Sequence, residues 1–553
     1  MRFTTKDLFP LGAILVVCGA ENVSTTSSAG SSYAPTTVTC PSIDFVRDAS
    51  GLSVGEAEFI SKRKAIADDA LRKWLAKTSD EFDAVGTRLP TIGLTTSGGG
   101  YRSMLTGAGV IQALDERDGM TSTSGLFQAL SYQSGLSGGG WLLSSLAGNN
   151  YPTISQLREG LWEEAFQNGL LTPTNVNAPD VYEQVVADVA AKDAAGFDTT
   201  LTDPYGRLLS YQFFPGPTYG ANITLSSVID LSNFTDHQVP YPLIVALGVK
   251  TFNGEGPNGT IYEFSPFEFG SWDSDVGAFV QTKFLGTSMT SGHPTNQSEC
   301  VTTYDNLGYV LGVSSNVFNY PIRSIPSSSL PTTELSTKVE TTLNRVHETA
   351  TGDFYAVFSN PFYDYKSATM TPNSANLITE QEKLHLADGG EALQNNPIWP
   401  MLQPDRQVEV LLVNDNSADT KNNWPNGTEI LTTYVQTFNH ENLTRMPYIP
   451  SVATFLRHGL NKRPTFFGCN ERDKITIVYL PNTAYTYPSN KDTSQLQYTK
   501  EETRKMVENG MAVATQNGDE AWGVCLGCAI MGKTSANLPK ACDVCFKRYC
   551  YYK

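Results

Sequence analysis

FQALSYQSGLSGGGWLLSSL, residues 127–146, passes from a short run rich in apolar and aromatic residues, through Gly135-Leu136-Ser137-Gly138-Gly139-Gly140, into a segment with helical character from Trp141. It has the outline of a nucleophile elbow: a serine on a tight strand-to-helix turn, with small residues two before and two after it so that neighbouring backbone can approach. Such a turn projects the Ser137 hydroxyl out of a sheet. It also sets the hydroxyl at a helix N-terminus, where free N–H groups favour developing negative charge. G-x-S-x-G alone equally fits a glycine-rich loop without chemistry, so the rest of the chain has to decide.

About 40 residues upstream, Pro90 precedes a short strand, Thr91–Thr96, that runs into Ser97-Gly98-Gly99-Gly100-Tyr101-Arg102. A helix follows, with Met104, Leu105, Ala108, Ile111 and Leu114 on one side. Consecutive glycines at a helix start expose backbone N–H groups, as an oxyanion hole requires, and one such donor is worth about 3 kcal/mol in a transition state. Close packing or a phosphate loop are the plainer alternatives. A Walker A loop is excluded because no Lys follows the glycines in register.

Downstream, Leu384-His385-Leu386-Ala387 reads as a short strand with Asp388 at its C-terminal end, just before Gly389-Gly390. Sites assemble at that edge of open α/β sheets, and a carboxylate there could take the Ser137 proton. An Asp that merely caps a turn is the commoner use of Asp-Gly. Asn414-Asp415, after the run Val408–Val413 (VEVLLV), is a second candidate acid. Helical spacing recurs at Gly55–Lys77, Ile154–Phe166 and Val181–Lys192, and a β-like run at Tyr241–Leu247. Gly55–Lys77 reads as a surface helix with one apolar stripe and a charged back. The chain is therefore expected to be α/β, with three layers (α/β/α), a central mixed sheet, a nucleophile elbow and long insertions.

With 553 residues, 40% of them hydrophobic and 10% aromatic, the chain can bury a large core. The net charge of −17 argues against a nucleic-acid binder, which needs clustered cations. The apolar segment Leu8–Ala20 is short and ends in Gly19-Ala20, as a secretory signal peptide over residues 1–20 does. Residues 21–39 are Ser/Thr-rich, and Thr25–Thr39 is expected to be poorly ordered. N-x-[ST] sequons open at Asn22, Asn222, Asn233, Asn258, Asn296, Asn426 and Asn442. Loss of Cys18 with the leader leaves Cys40, Cys300, Cys469, Cys525, Cys528, Cys542, Cys545 and Cys550, an even set that reads as disulfides of undeducible pairing. Cys525-x2-Cys528 and Cys542-x2-Cys545 also come near the spacing of a four-cysteine zinc site, although an oxidising compartment favours disulfides.

GLTTSGGGYRSMLTGAGV, SYQSGLSGGGW and LADGGE, in that order, resemble the secreted fungal phospholipase B (lysophospholipase) family. That family shares its catalytic module with the calcium-responsive cytosolic phospholipases. The similarity extends to VNDNSADT (413–420), TFFGCN (465–470) and CLGCAI...CDVCFKRYC, so a catalytic domain over residues 40–553 with a Cys-rich end is implied. The resemblance implies a Ser–Asp dyad hydrolysing acyl esters of lysophospholipids and phospholipids at micelle or membrane surfaces. Ser137 would be the nucleophile and Asp388 the base, Gly98, Gly99 and Gly100 the oxyanion hole, and Arg102 the residue near the lipid phosphate. A carboxylate of pKa about 4 is a poor base for an alcohol, so burial must raise it. Without the motif, Arg102 reads as a surface helix arginine. No metal, other cofactor or protein partner is implied. Many members carry a Ser-rich stretch and an apolar GPI-directing tail, whereas this sequence stops at Cys550-Tyr-Tyr-Lys. The expectation is an extracellular protein, in the medium, cell wall or periplasm.

Two rivals remain in the sequence. His440 and His458 follow Asp388, so the order Ser, Asp, His of an α/β-hydrolase esterase is available, and the other histidines are His237, His293, His347 and His385. A surface glycoprotein that binds lipid without turnover would carry the same scaffold.

Overall fold

Runs such as Val408–Val413 and Tyr241–Leu247 lack the apolar–polar alternation of a strand with one wet face, and suit strands covered on both sides. The computed structural model describes residues 33–82, 86–168, 170, 178–249, 259–317, 355–369, 378–439 and 443–553, and in it these runs form the middle of a 12-stranded sheet. Its strands in chain order are β1 (Val46–Asp48), β2 (Thr91–Thr96), β3 (Tyr132–Leu136), β4 (Tyr241–Val249), β5 (Ile261–Phe264) and β6 (Glu268–Ser271). Then come β7 (Ala278–Gln281), β8 (Ala356–Ser359), β9 (Lys383–Asp388), β10 (Val408–Asp415), β11 (Thr465–Phe467) and β12 (Thr476–Pro481).

Across the sheet the order is β11-β12-β10-β2-β3-β4-β5-β6-β7-β1, with β9 also on β4 and β8 on β9. From β12 to β4 neighbours are parallel. The wing from β4 to β1 is antiparallel, as are β11, β9 and β8. The sheet is mixed and carries helices, the α/β architecture expected from the sequence. β2, β3, β4 and β12 are buried along their whole length.

The helices that matter below are α1 (Val54–Thr78), α2 (Gly100–Leu114), α3 (Gly138–Gly148), α4 (Thr202–Phe213), α5 (Leu307–Ser314), α6 (Thr428–Gln436), α7 (Lys500–Thr515), α8 (Trp522–Met531) and α9 (Cys542–Tyr549). α2 is buried at every position, because it lies between the sheet and α7. The two helices touch through glycines: a Cβ on Gly109 would stand 1.9 Å from the Val507 carbonyl oxygen, and one on Gly510 2.1 Å from that of Thr106. One hydrophobic core cluster runs from Tyr33 to Tyr549.

Three expectations need correction. The charged back of α1 is not wholly wet: Arg63 is fully buried and donates to the carbonyls of Leu130 (2.8 Å), Gln128 (2.6 Å) and His237 (3.0 Å). The irregular chain before β3 and before β4 leaves those carbonyls without ladder partners, and a guanidinium has donors enough to serve them. The Ser/Thr-rich segment is ordered at its end, where Tyr33 is buried with its hydroxyl on Asp203 (2.8 Å) and Thr36–Val38 pairs with Cys300–Thr302. The helix after Ser137 starts at Gly138, three residues before Trp141.

The cysteines form Cys40–Cys300, Cys469–Cys550, Cys525–Cys545 and Cys528–Cys542. The C-x2-C spacing sets each pair on one face of α8 or α9, three residues apart, and the two faces are stitched together. The zinc-like spacing of the tail is thus taken up by disulfides. The expected signal peptide, Asn22, Asn258 and Asn442 lie outside the described residues. Asn222 and Asn296 are exposed, and Asn233 and Asn426 half-buried.

Candidate active site

β3 ends at Leu136 and α3 begins at Gly138, so a single residue turns the chain. That residue, Ser137, has φ 51° and ψ −120°, a backbone that side-chain-bearing residues rarely adopt and that costs about 1–3 kcal/mol. Its surroundings hold it there. The Ser137 N–H donates to Ser314 Oγ at the end of α5 (3.1 Å), and the Trp141 N–H donates to the Ser137 carbonyl (2.9 Å). The flanking glycines are required by contact: a Cβ on Gly135 would fall 2.4 Å from the Gly139 carbonyl oxygen, and one on Gly138 2.1 Å from that of Gly100. The two glycine-rich turns lie against each other.

Strand pairing brings Asp388 to the same spot. β3 runs parallel to β4, and its last residue, Leu136, pairs with Val245. β9 runs antiparallel to β4, and its last residue, Asp388, pairs with Ala246. β3 and β9 therefore approach along β4 from opposite directions and meet C-end to C-end. The Ser137 hydroxyl lies beside the Asp388 carboxylate at that junction and favours its charged form. Asp388 Oδ1 also accepts the Gly390 N–H (2.7 Å), and the Asp388 N–H donates to the Asn316 carbonyl (3.0 Å).

Both side chains are nearly closed off from water, with Ser137 7% and Asp388 5% exposed. Burial raises the Asp388 pKa from 3.8 to about 6, against the Gly390 amide and the Ser137 hydroxyl, which favour the charged form. The sign for stability follows. Between about pH 4 and pH 6 the folded protein keeps a proton that the unfolded chain has lost, so this group destabilises the fold as pH rises, by about 3 kcal/mol once both states are ionised. Asp388→Asn is expected to melt at a higher temperature than wild type near pH 8, with the gain shrinking towards pH 4. Equal melting temperatures at the higher pH would contradict a buried charge here.

The glycine turn after β2 differs in one respect from expectation. The Gly98 N–H donates to the Asn395 carbonyl (3.1 Å) and is not available to a substrate. Among the described residues no acceptor meets the amides of Gly99, at φ 133°, or Gly100, at φ 58° and the first residue of α2. Asn395 brackets the turn: its Nδ2 donates to the Gly98 carbonyl (3.1 Å) and to Ser417 Oγ (2.9 Å). Its own N–H donates to Glu429 Oε2 (2.7 Å) in the first turn of α6. Burial, then Asp419, holds Glu429 well above the ordinary carboxylate range. Sequence reading missed both residues, although Asn395 stands in the stretch Lys383–Pro400, seven residues after Asp388.

Arg102 is not a surface residue. It is 1% exposed, with Nε on the Asn416 carbonyl (2.8 Å) and Nη1 on the Lys491 carbonyl (2.6 Å) and Thr493 Oγ1 (2.9 Å). A Cβ on Gly99 would lie 2.4 Å from Arg102 Nη2, so the guanidinium flanks the glycine turn. Asp415, the alternative acid, accepts from the Ser417 N–H (3.0 Å) and the Tyr479 hydroxyl (2.7 Å).

Among the described residues the groups that favour the Asp388 carboxylate's charged form are the Gly390 amide, which donates to it, and the Ser137 hydroxyl, and no imidazole is among them. His385 lies three residues before Asp388 on β9, on the opposite face of the strand. His293 and His458 are exposed and His237 half-buried, whereas His347 and His440 fall outside the described residues. A hydroxyl beside a buried acid of raised pKa, close to unbonded amides and a guanidinium, can support acyl transfer to serine.

The chain is similar to known proteins over most of its length. Residues 92–553 match the lysophospholipase catalytic domain family. Lysophospholipase 2 of Aspergillus fumigatus is 37% identical over 94% of this chain and 93% of its own. Lysophospholipase 3 of Candida albicans is 38% identical, covering 94% and 74%, and lysophospholipase 1 of Saccharomyces cerevisiae 35%, covering 98% and 86%. Human GIVD cytosolic phospholipase A2 has a similar fold, with a TM-score of 0.67 at 18% identity over 89% of this chain and 69% of that one.

Proposed function

The chain belongs to the lysophospholipase family, whose members are carboxylic ester hydrolases, and from that premise we propose that it releases fatty acid from lysophospholipids and phospholipids through Ser137 and Asp388. The observation that supports the mechanism is the juxtaposition of the Ser137 hydroxyl and a buried carboxylate at the meeting point of β3 and β9.

Asp388 removes the hydroxyl proton as Ser137 Oγ attacks the ester carbonyl. The carbonyl oxygen becomes an oxyanion, which the Gly99 and Gly100 amides receive at the start of α2. Collapse breaks the ester bond, and the departing glycerol oxygen takes the proton back from Asp388. Water, deprotonated by Asp388, then attacks the acyl-enzyme, releasing fatty acid and restoring the serine. Arg102, pinned by two carbonyls and a hydroxyl, is set beside the turn to meet the lipid phosphate.

Because the carboxylate form is the base, turnover is expected to rise with pH through an apparent pKa of about 6 and to fall about tenfold per unit below it. A pH–rate profile flat from about 4 to 8 would contradict Asp388 in this role. Replacement of each of the six histidines in turn tests the esterase rival, since a dyad enzyme keeps its activity at every one. Secretion belongs to the same proposal, supported by four disulfides, the sequons and the apolar leader. A glycosidase-sensitive mass shift of protein recovered from the culture medium is the expected result, with Asn222 and Asn296 occupied.

A further inference from the structure

A chain of net charge −17 is repelled by a negatively charged lipid surface unless some face is poor in acids. The face carried by α6 and the turn after it is poor in them. Between Gly427 and Asn439 the one charged residue is Glu429, and its carboxylate is turned inward onto the Asn395 amide. Outward stand Val435, 49% exposed, and Phe438, 70% exposed, and Leu456, 46% exposed, lies on the helix Val452–Arg457, whose Phe455 packs against Gly427 just before α6.

Isolated exposed apolar residues are ordinary; here they continue into a strip of rings. Phe438 lies against Tyr434 (centroids 5.0 Å), Tyr434 against Tyr448 (5.7 Å), Tyr448 against Tyr551 (6.3 Å) and Tyr551 against His458 (6.3 Å). Cations border the strip. Lys553 Nζ sits 4.8 Å from the Tyr448 ring, and Arg457 acts on the Tyr551 hydroxyl. The acid beside it, Glu471, accepts the Tyr448 N–H (3.2 Å). Amphipathic rings flanked by Lys and Arg suit the boundary between headgroups and acyl chains.

The strip is also tied to the site. Glu429, in the first turn of α6, holds the residue that brackets the oxyanion turn, and Phe438 follows nine residues on, about 14 Å along the chain at helical rise.

We propose that this strip seats the protein on the surface of a phospholipid aggregate, with Val435, Phe438 and Leu456 entering the acyl boundary and Arg457 and Lys553 meeting phosphates. The inference rests on the reading of phospholipid as substrate. The test uses Phe438→Asp in the full chain and in a Ser137→Ala background. Co-sedimentation with vesicles of phosphatidylcholine and phosphatidylglycerol is expected to fall at least about fivefold, and hydrolysis of micellar lysophosphatidylcholine with it. Hydrolysis of a water-soluble ester, p-nitrophenyl butyrate, is expected to stay at the wild-type rate.

Unchanged vesicle binding overturns the proposal, as does an equal loss on both esters. So does a wild type that is dimeric without lipid and made monomeric by Phe438→Asp, since the strip would then be a self-association surface. If wild type releases no fatty acid from any lysophospholipid, yet binds vesicles in a Phe438-dependent way, the docking surface stands and the assigned activity falls.

Discussion

Ser137→Ala and Asp388→Asn proteins, matched to wild type for folding, are expected to release fatty acid from lysophosphatidylcholine at no more than about one ten-thousandth of the wild-type rate. The serine variant loses the atom that forms the acyl-enzyme. The asparagine variant keeps nearly the same shape and can still accept the Gly390 N–H, but it cannot take up a proton. Because the two groups act as one unit, the double variant should be hardly worse than either single one. Retained turnover in Asp388→Asn, together with loss at a histidine variant, would replace the dyad with a triad.

The largest expected effect on stability lies away from the chemistry. Arg406, 3% exposed, donates from Nε to Glu56 Oε1 (2.8 Å) in α1 and from Nη1 to Glu263 Oε1 in β5 (3.0 Å) and the Pro400 carbonyl (3.0 Å). Burial pulls the guanidinium pKa down, and Glu263 and Glu56 more than reverse it. Burial also raises Glu263, with Arg406 holding it back. Arg406→Met leaves two buried acids facing each other without a cation, and is expected to cost about 3–5 kcal/mol in urea unfolding with disulfides intact. Adding Glu56→Gln and Glu263→Gln should recover much of the loss, because a pair removed whole costs far less than a pair broken. A loss below about 1 kcal/mol in the single variant would mean that water or chain movement neutralises the acids.

Much of the architecture was legible along the chain. Thr91–Thr96 is a strand with the expected bounds, and the helix expected over Gly55–Lys77 gains one residue at each end. Both glycine-rich turns sit between a strand and a helix, as their composition requires. Periodicity and turn chemistry are local properties, readable in a window of a dozen residues. Apart from the early start of the helix after Ser137, the shortfalls are non-local. Arg63 and Arg102 sit at positions that read as solvent-facing, and it is chain segments distant in sequence that cover them and offer carbonyls. Gly98 looks like its two neighbours until Asn395, nearly 300 residues on, takes up its amide. Asn395 and Glu429 carried no signal of their own, since an Asn before Asn-Pro and a Glu in a helix's first turn have ordinary local uses.

By itself the sequence determined the elements: a serine on an elbow, a second glycine turn at a helix start, an acid at a strand end, and an even set of cysteines that reads as disulfides. Tertiary structure alone decided that β3 and β9 abut end to end along β4, one parallel and one antiparallel, so that a hydroxyl and a carboxylate 251 positions apart stand side by side. Strand register across a sheet depends on which distant segments pair, and the same burial that pairing creates lifts the acid towards the pH at which it can act as a base.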